Sequence, residues 1–350
     1  MADRVDIAIV SLATTMGWRR ADAALAEQIA AGGATCRVVP VTMGLAGGLR
    51  RTMAATDVVE ALAARRAAAR VEARATIFSS VTAALLQSPA GPHAVRFDTT
   101  AALSRPGAGG AWQRRRERRV LGRADLLLPW SRAAAEAAAQ AVGASPPQTV
   151  VLPPPVDGPA APAPDAPDAV AYAANPDKRG LDLLCQAWQS ARPEGARLVV
   201  GGIDGPAAMA WLGRRGLAEP EGVEWAGAVE RKRWLSLVAG ARVFVSAARY
   251  EDWGLAQMEA LAAGTPLVTV QTPGPNVALP LARQLAPALV ARAPEAAALA
   301  AALRAGLALD DAARGAYAEQ SERLLAPYRE ESARATVAAE VVPALLRSSS

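Results

Sequence analysis

Short apolar runs alternate with longer amphipathic stretches along the first 150 residues. VDIAIVS (5–11) is an almost unbroken apolar run of strand length, and RRADAALAEQIAAGG behind it carries apolar residues at helical spacing up to a glycine stop. CRVVPVT, ATIFSS, HAVRFD, ADLLLPW and TVVLPPP repeat the strand pattern, with helical stretches between most of them. Strands separated by helices imply crossover connections, which predict a parallel sheet covered on both faces.

The rhythm breaks at VLPPPVDGPAAPAPDAPDA (151–169), whose proline density reads as a stiff linker. It then restarts with AVAYAA, RLVVGG, VEWAGAV, ARVFVSAA, PLVTVQ and ALVAR. The pattern therefore predicts an α/β chain of two Rossmann-like, doubly wound domains, 1–158 and 159–325. A last segment, 326–350, is expected to pack back on the first domain. The stretch 311–347 reads as helical, with Pro327 expected to kink or split it.

Composition narrows the chemistry. The chain has 350 residues, 52% of them hydrophobic and 20% charged, enough for two domain cores and too apolar for a disordered chain. One histidine (His93) and two distant cysteines (Cys36, Cys185) give no zinc or disulfide framework. No metal site, signal peptide or membrane-spanning run is expected, and the expected location is cytoplasmic. The first 150 residues hold 19 Arg against 11 acids, whereas the remainder holds 19 cations against 22 acids. The basic half suits an anionic partner. WQRRRERRVLGR (112–123) concentrates that charge; it is read as contact with the inner face of an anionic membrane, as a hold on an anionic acceptor, or as a solvated helix face. No nucleic-acid partner is expected.

Several phosphate and catalytic motifs are missing. SLATTMGWRR and NPDKRG follow the first strand of each half, and neither is GxGxxG. There is no P-loop, no GxSxG elbow and no Asp-x-Asp pair for a divalent metal. Two α/β domains without a dinucleotide fingerprint still suit a ligand held at strand C-termini in an interdomain cleft.

YEDWGLAQMEALAAGTPLV (250–268) carries the most information. It parses as loop, helix and turn into a strand. Leu255, Met258, Leu261 and Ala262 form the apolar stripe, and Glu259 lies next to Met258 on it. A buried carboxylate needs strong donors, and sugar or ribose hydroxyls supply them. The helix begins at Gly254-Leu255, so its free N–H groups face the loop that holds Glu251 and attract phosphate there. The plain alternatives are a partly exposed Glu259 and a loop acid that merely caps a helix.

Glu251 and Glu259, separated by seven residues and followed by AAGTPLV, resemble the signature of the family-four retaining glycosyltransferases, which have the GT-B fold. NPDKRGLDLLCQAW (175–188) resembles that family's donor-phosphate loop and helix. VEWAGAVERKRWLSLVAGARVFVS (223–246) resembles the segment that cradles the nucleotide base, with Val229 among the donor contacts. ADLLLPWSRAAAEAA and TVVLPPPVD resemble the closing elements of the first domain. The resemblance implies a metal-independent transfer, with retention, from a nucleotide-diphosphate sugar to a hydroxyl acceptor (glycan, lipid-linked or small-molecule), without a cofactor. It implies that Glu259 binds the ribose hydroxyls and Glu251 those of the transferred sugar. Backbone N–H groups of Trp253, Gly254 and Leu255 meet the sugar and diphosphate, and Lys178 or Arg179 neutralises the diphosphate. The alternatives are a non-catalytic GT-B protein that binds sugar nucleotides or glycans, and a GT-B epimerase.

The match departs in places. The family usually has Gly-Arg upstream of the lysine, where this chain reads AYAANPDK; Arg179, Arg19 or Arg20 is the candidate replacement. Asp252-Trp253 stands for the usual Gly-Phe, and QTPGPN follows PLVTV where Gly-Gly and a further Glu are common. In the first domain, Gly17 in LATTMGWRRAD either lets backbone approach a ligand or serves a plain turn. Asp98 in RFDTTAALSRPG is the candidate acceptor-side base, or else a structural cap. His93, at the start of its strand, is expected to be structural.

Overall fold

The computed structural model describes residues 4–13, 15–43, 53–105, 107–143 and 145–347. Thr14 and Pro106, within two of the loops singled out above, lie outside them. The chain divides into two compact units, Met1–Pro155 with Glu330–Ser350, and Val156–Arg329.

The first unit runs β1 (Val5–Ser11), α1 (Met16–Ala31), β2 (Cys36–Pro40), α2 (Met53–Ala68), β3 (Ala73–Phe78) and α3 (Val81–Ala84). It continues with β4 (His93–Phe97), α4 (Ala101–Ser104), α5 (Ala111–Leu121), β5 (Leu126–Pro129), α6 (Arg132–Val142) and β6 (Gln148–Thr149). The sheet is parallel, in the order β2-β1-β3-β4-β5-β6. Both faces are covered, which is why its strands read as continuous apolar runs. Ile7, Ile9, Ile77, Leu126 and Leu128 pack on one face with Leu25 and Ile29 of α1. Val10, Phe78, Val95, Phe97 and Leu127 pack on the other with Ala134 and Ala138 of α6. Of the expected strand TVVLPPP (149–155) only Thr149 lies in β6; Val150 and Leu152 N–H still donate to the Leu127 and Pro129 carbonyls at 2.9 and 2.8 Å, and Pro153, Pro154 and Pro155, which have no N–H, carry the pattern no further.

The second unit runs β7 (Ala169–Tyr172), α7 (Leu181–Ala191), β8 (Leu198–Gly201), α8 (Gly205–Gly213), β9 (Val223–Gly227), α9 (Arg231–Gly240) and β10 (Val243–Ser246). Then come α10 (Leu255–Ala262), β11 (Leu267–Val270), α11 (Ala278–Leu285), β12 (Val290–Ala291), α12 (Ala296–Leu307) and α13 (Asp311–Leu325). Its parallel order is β12-β11-β10-β7-β8-β9. The winding direction reverses between β7 and β10, so the loops that leave these two strands flank one crevice, the usual ligand position in such sheets.

The proline-rich stretch is fastened along the second unit. Ala163 N–H donates to the Ser236 carbonyl at 2.9 Å, and Arg233 Nη1 donates to Asp165 at 2.8 Å. At the far end, α13 stops at Leu325, Ala326–Tyr328 forms a 3₁₀ turn through Pro327, and α14 (Glu330–Thr336) starts afresh. α14, the π-helical turn Val337–Val341 and α15 (Val342–Leu346) then bury Ala333, Val337, Val341 and Leu345 in the first unit's core.

Candidate functional site

Two loops meet at the β7/β10 crevice. The first, after β7, ends in Lys178, Arg179 and Gly180; the second, after β10, holds Glu251 to Gly254. Arg249 N–H donates to the Lys178 carbonyl at 2.9 Å, which ties the loops together. Gly180 (φ +61) is the close-approach point: a β-carbon there would stand 2.1 Å from the Ala247 carbonyl oxygen. Gly180 and Gly254 are both left-handed residues at the N-caps of α7 and α10, and neither helix start has a side-chain cap. Both helices therefore present uncapped N-terminal turns beside the crevice.

Both sequence-identified acids are buried, Glu251 at 3% exposure and Glu259 at 4%. Glu251 Oε2 pairs with Arg179 Nη1. Glu259 Oε1 lies 2.6 Å from Arg231 Nη1, and its Oε2 accepts from Trp234 Nε1 at 3.2 Å. Lys178 Nζ lies 2.7 Å from Asp252 Oδ2 and 5.7 Å from the Tyr250 ring centroid. α10 is buried almost all round: Met258, Leu261 and Ala262 are core as expected, Gln257 and Ala260 join them, and Leu255 is half-buried. Trp253 is buried, its ring centroid 6.4 Å from that of Tyr328 in a T-shaped arrangement, and it directly precedes Gly254, the N-cap of α10. Val229 is half-buried between β9 and α9, two residues before the Arg231 that meets Glu259.

The pairing of each acid with its own cation was hidden in the sequence. Arg231 and Glu259 lie 28 positions apart, and only the packing of α9 beside α10 joins them. Asn276 and Gln257, buried near Gly254, were also missed. A cavity of about 610 Å³ opens nearby, lined by Asp182, Gln186, Arg249 and Glu295 among others; neither buried acid lines it.

In the first unit, Gly17 lies in the first turn of α1 and Asp98 in the loop after β4. Sequence reasoning missed the constellation next to Asp98. Arg96 is 1% exposed, its Nη1 is 2.9 Å from Asp22 Oδ1, and its guanidinium lies 5.1 Å from the Trp130 ring centroid and 5.9 Å from that of Trp18. Ser11 Oγ donates to the other Asp22 oxygen at 2.5 Å. Burial pushes the Asp22 carboxyl up and the Arg96 guanidinium down, each opposed by the other's charge. An arginine inside the strand HAVRFD was the available signal. Arg19 donates to the Ala13 carbonyl at 3.4 Å.

His93 opens β4 with Asp125 3.2 Å from its Nδ1, and burial lowers its pKa, so it stays neutral at pH 7. Burial pushes the thiol of Cys36 up to about 11 and that of Cys185 up to about 12, so neither is a thiolate near neutrality. The basic run forms α5, with Arg115, Arg118 and Arg119 exposed beside Trp112. Among the described residues no group of three His, Cys, Asp or Glu side chains is placed to hold a metal, and no helix is long and apolar enough to cross a membrane.

Two parallel six-stranded units of this order define a GT-B fold, and solved structures agree over nearly the whole chain. Sucrose-phosphate synthase from Thermosynechococcus elongatus superposes with a TM-score of 0.73 at 18% identity, covering 95% of this chain and 97% of that one. HepE from Anabaena, solved with UDP and glucose, gives 0.69 at 14%, covering 95% and 98%. WaaG, a glycosyltransferase of lipopolysaccharide biosynthesis, gives 0.66 at 16%, covering 97% and 100%. No curated protein matches the chain in sequence. Residues 167–308, which span β7 to α12 of the second unit, match the family described as Glycosyl transferases group 1.

Proposed function

We propose that the second unit binds a nucleoside-diphosphate sugar at the start of α10, and that the protein transfers the sugar to a hydroxyl acceptor with retention and without a metal. The observation that carries this reading is the burial of Glu251 and Glu259 at the β7/β10 switch point, beside two uncapped helix starts. A buried carboxylate–arginine pair adds little stability over apolar side chains of the same volume, and both acids sit in such pairs. Two of them at one helix entrance are better accounted for by hydroxyl groups that need acceptors. UDP in the HepE structure makes uridine nucleotides the first to test.

The roles follow from position. Glu259, at the junction of α10 and α9, takes the ribose hydroxyls, with Arg231 and Trp234 holding its carboxylate in place. Glu251 takes hydroxyls of the transferred sugar. As the bond between the anomeric carbon and the phosphate oxygen breaks, charge collects on the diphosphate. The N-terminal turn of α10 and the cations Lys178 and Arg179 stabilise that charge, each cation exchanging its carboxylate partner for phosphate. Preorganised donors of this kind are worth about 3–4 kcal/mol each in comparable sites. The acceptor hydroxyl adds to the anomeric carbon on the face the diphosphate leaves, and its proton passes to the departing phosphate oxygen. Asp98 is the acceptor-side candidate in the first unit.

The test is a thermal-shift panel of UDP-glucose, UDP-galactose, UDP-N-acetylglucosamine, GDP-mannose and ADP-glucose, followed by nucleoside-diphosphate release with acceptors present. One donor should raise the melting temperature, and that donor should turn over. Binding without release to any acceptor would favour a non-catalytic binder, and a free epimerised donor would favour an epimerase.

A further inference from the structure

The loop after β11 carries a polar side chain without a partner. Asn276 is 3% exposed, and neither its Nδ2 nor its Oδ1 is hydrogen-bonded. A buried amide group left unpaired costs about 1–3 kcal/mol, and Asn276 bears that cost at both ends. Its backbone is nevertheless fixed. Asn276 N–H donates to the Glu251 carbonyl at 3.3 Å, and Glu251 N–H donates to the Pro273 carbonyl at 3.1 Å. The side chain is therefore held beside Glu251, against the entrance of α10. Its Oδ1 lies 3.1 Å from where a β-carbon on Gly254 would stand, next to Gln257 Oε1 at 3.3 Å and Glu251 Cγ at 3.5 Å.

Gln257 supplies a second unpaired atom. The side chain is 1% exposed, and its Nε2 donates to Ser246 Oγ at 2.8 Å. That bond leaves Oε1 near Gly254 with no partner of its own. Side chains from three segments thus meet at one glycine. Together they offer carboxylate and amide acceptors and one amide N–H₂ donor. A phosphate oxygen only accepts, so it would satisfy Nδ2 and leave both amide oxygens unpaired. Hydroxyl groups donate and accept, and a pair of them satisfies all three.

We propose that Asn276, with Gln257 Oε1, reads the hydroxyl pattern of the transferred sugar beside Glu251 and sets which sugar is accepted. The inference rests on the donor-site reading above. It assigns a role to the QTPGPN loop, one of the places where this chain departs from its family's usual sequence.

Titration calorimetry of wild type, Asn276→Ala and the near-isosteric Asn276→Leu tests it. Each protein is titrated with the tightest-binding member of the sugar-nucleotide panel and, separately, with the matching nucleoside diphosphate. Affinity for the sugar nucleotide should fall tenfold or more in both variants, while affinity for the diphosphate stays within twofold. The preference between UDP-glucose and UDP-galactose, or between whichever panel members bind, should narrow. Equal losses for both ligands, or no loss for either, would overturn the role. If the apolar variants do not fold, Asn276→Ser carries the same comparison. A wild type that binds no member of the panel overturns the donor site and this inference with it. Binding by wild type that the variants share unchanged overturns the inference alone.

Discussion

At the scale of single residues, the molecule distinguishes acids that are answered by a cation from one that is not. Glu251 has Arg179, Glu259 has Arg231 and Asp22 has Arg96. Glu117 of α5 has the backbone instead: both of its oxygens accept from Ala101 N–H, at 2.9 and 2.8 Å. Burial prevails over those bonds and over the Arg105 charge, and pushes the Glu117 carboxyl up to about 7. The folded protein therefore keeps a proton that the unfolded chain releases near pH 4.5. A raised carboxyl stabilises the fold below the unfolded pKa, and that contribution is lost as pH climbs to about 7, by up to about 3 kcal/mol. Glu117→Gln keeps an acceptor for Ala101 and removes the charge. Its melting temperature should exceed that of wild type at pH 8 and match it at pH 5. Equal destabilisation at both values would contradict the assignment.

At the scale of elements, α10 shows what sequence reading reaches. The two acids, the helix start and the strand after it were legible, because spacing along one helix is a local property. The partners were not. Arg231, Trp234 and Asn276 come from other elements, and only the crossing of α9 and the return of the β11 loop bring them to α10. Period alone also overstated the strands at the sheet margins: ALVAR gave the two residues of β12, and of TVVLPPP only Thr149 lies in β6. Edge strands have one neighbour, so apolar pattern decides less about their length than the available ladder does. The N-cap of α10 is Gly254, with φ +88 and Asn276 Oδ1 3.1 Å from a β-carbon there. Gly254→Ala should cost about 1–3 kcal/mol, lowering the melting temperature, and should weaken donor binding at least as much. An unchanged melting curve would show that the helix start relaxes freely.

At the scale of the whole molecule, two parallel sheets were legible from the alternation of apolar runs and helices. The seam between them was less so. The proline-rich stretch read as a linker is bonded along the second unit, through Ala163 to Ser236 and Asp165 to Arg233. Proline density records only that no helix or ladder forms there; it carries no information about what the backbone touches. The return of α14 and α15 into the first unit's core depends on Val337, Val341 and Leu345, whose spacing marks an apolar stripe without naming its partner. The reversal of winding between β7 and β10 brings the loops 175–180, 251–254 and 271–276 to one side of the sheet, where the proposed donor site lies.

The proposed donor site stands on the buried carboxylate of Glu259 holding a nucleoside-diphosphate sugar at α10. Titration calorimetry of wild type and Glu259→Ala with the donor that stabilises the wild type tests it most directly. The wild type should bind saturably and the variant not measurably, with the variant still unfolding cooperatively. Equal affinity in the two proteins would contradict it.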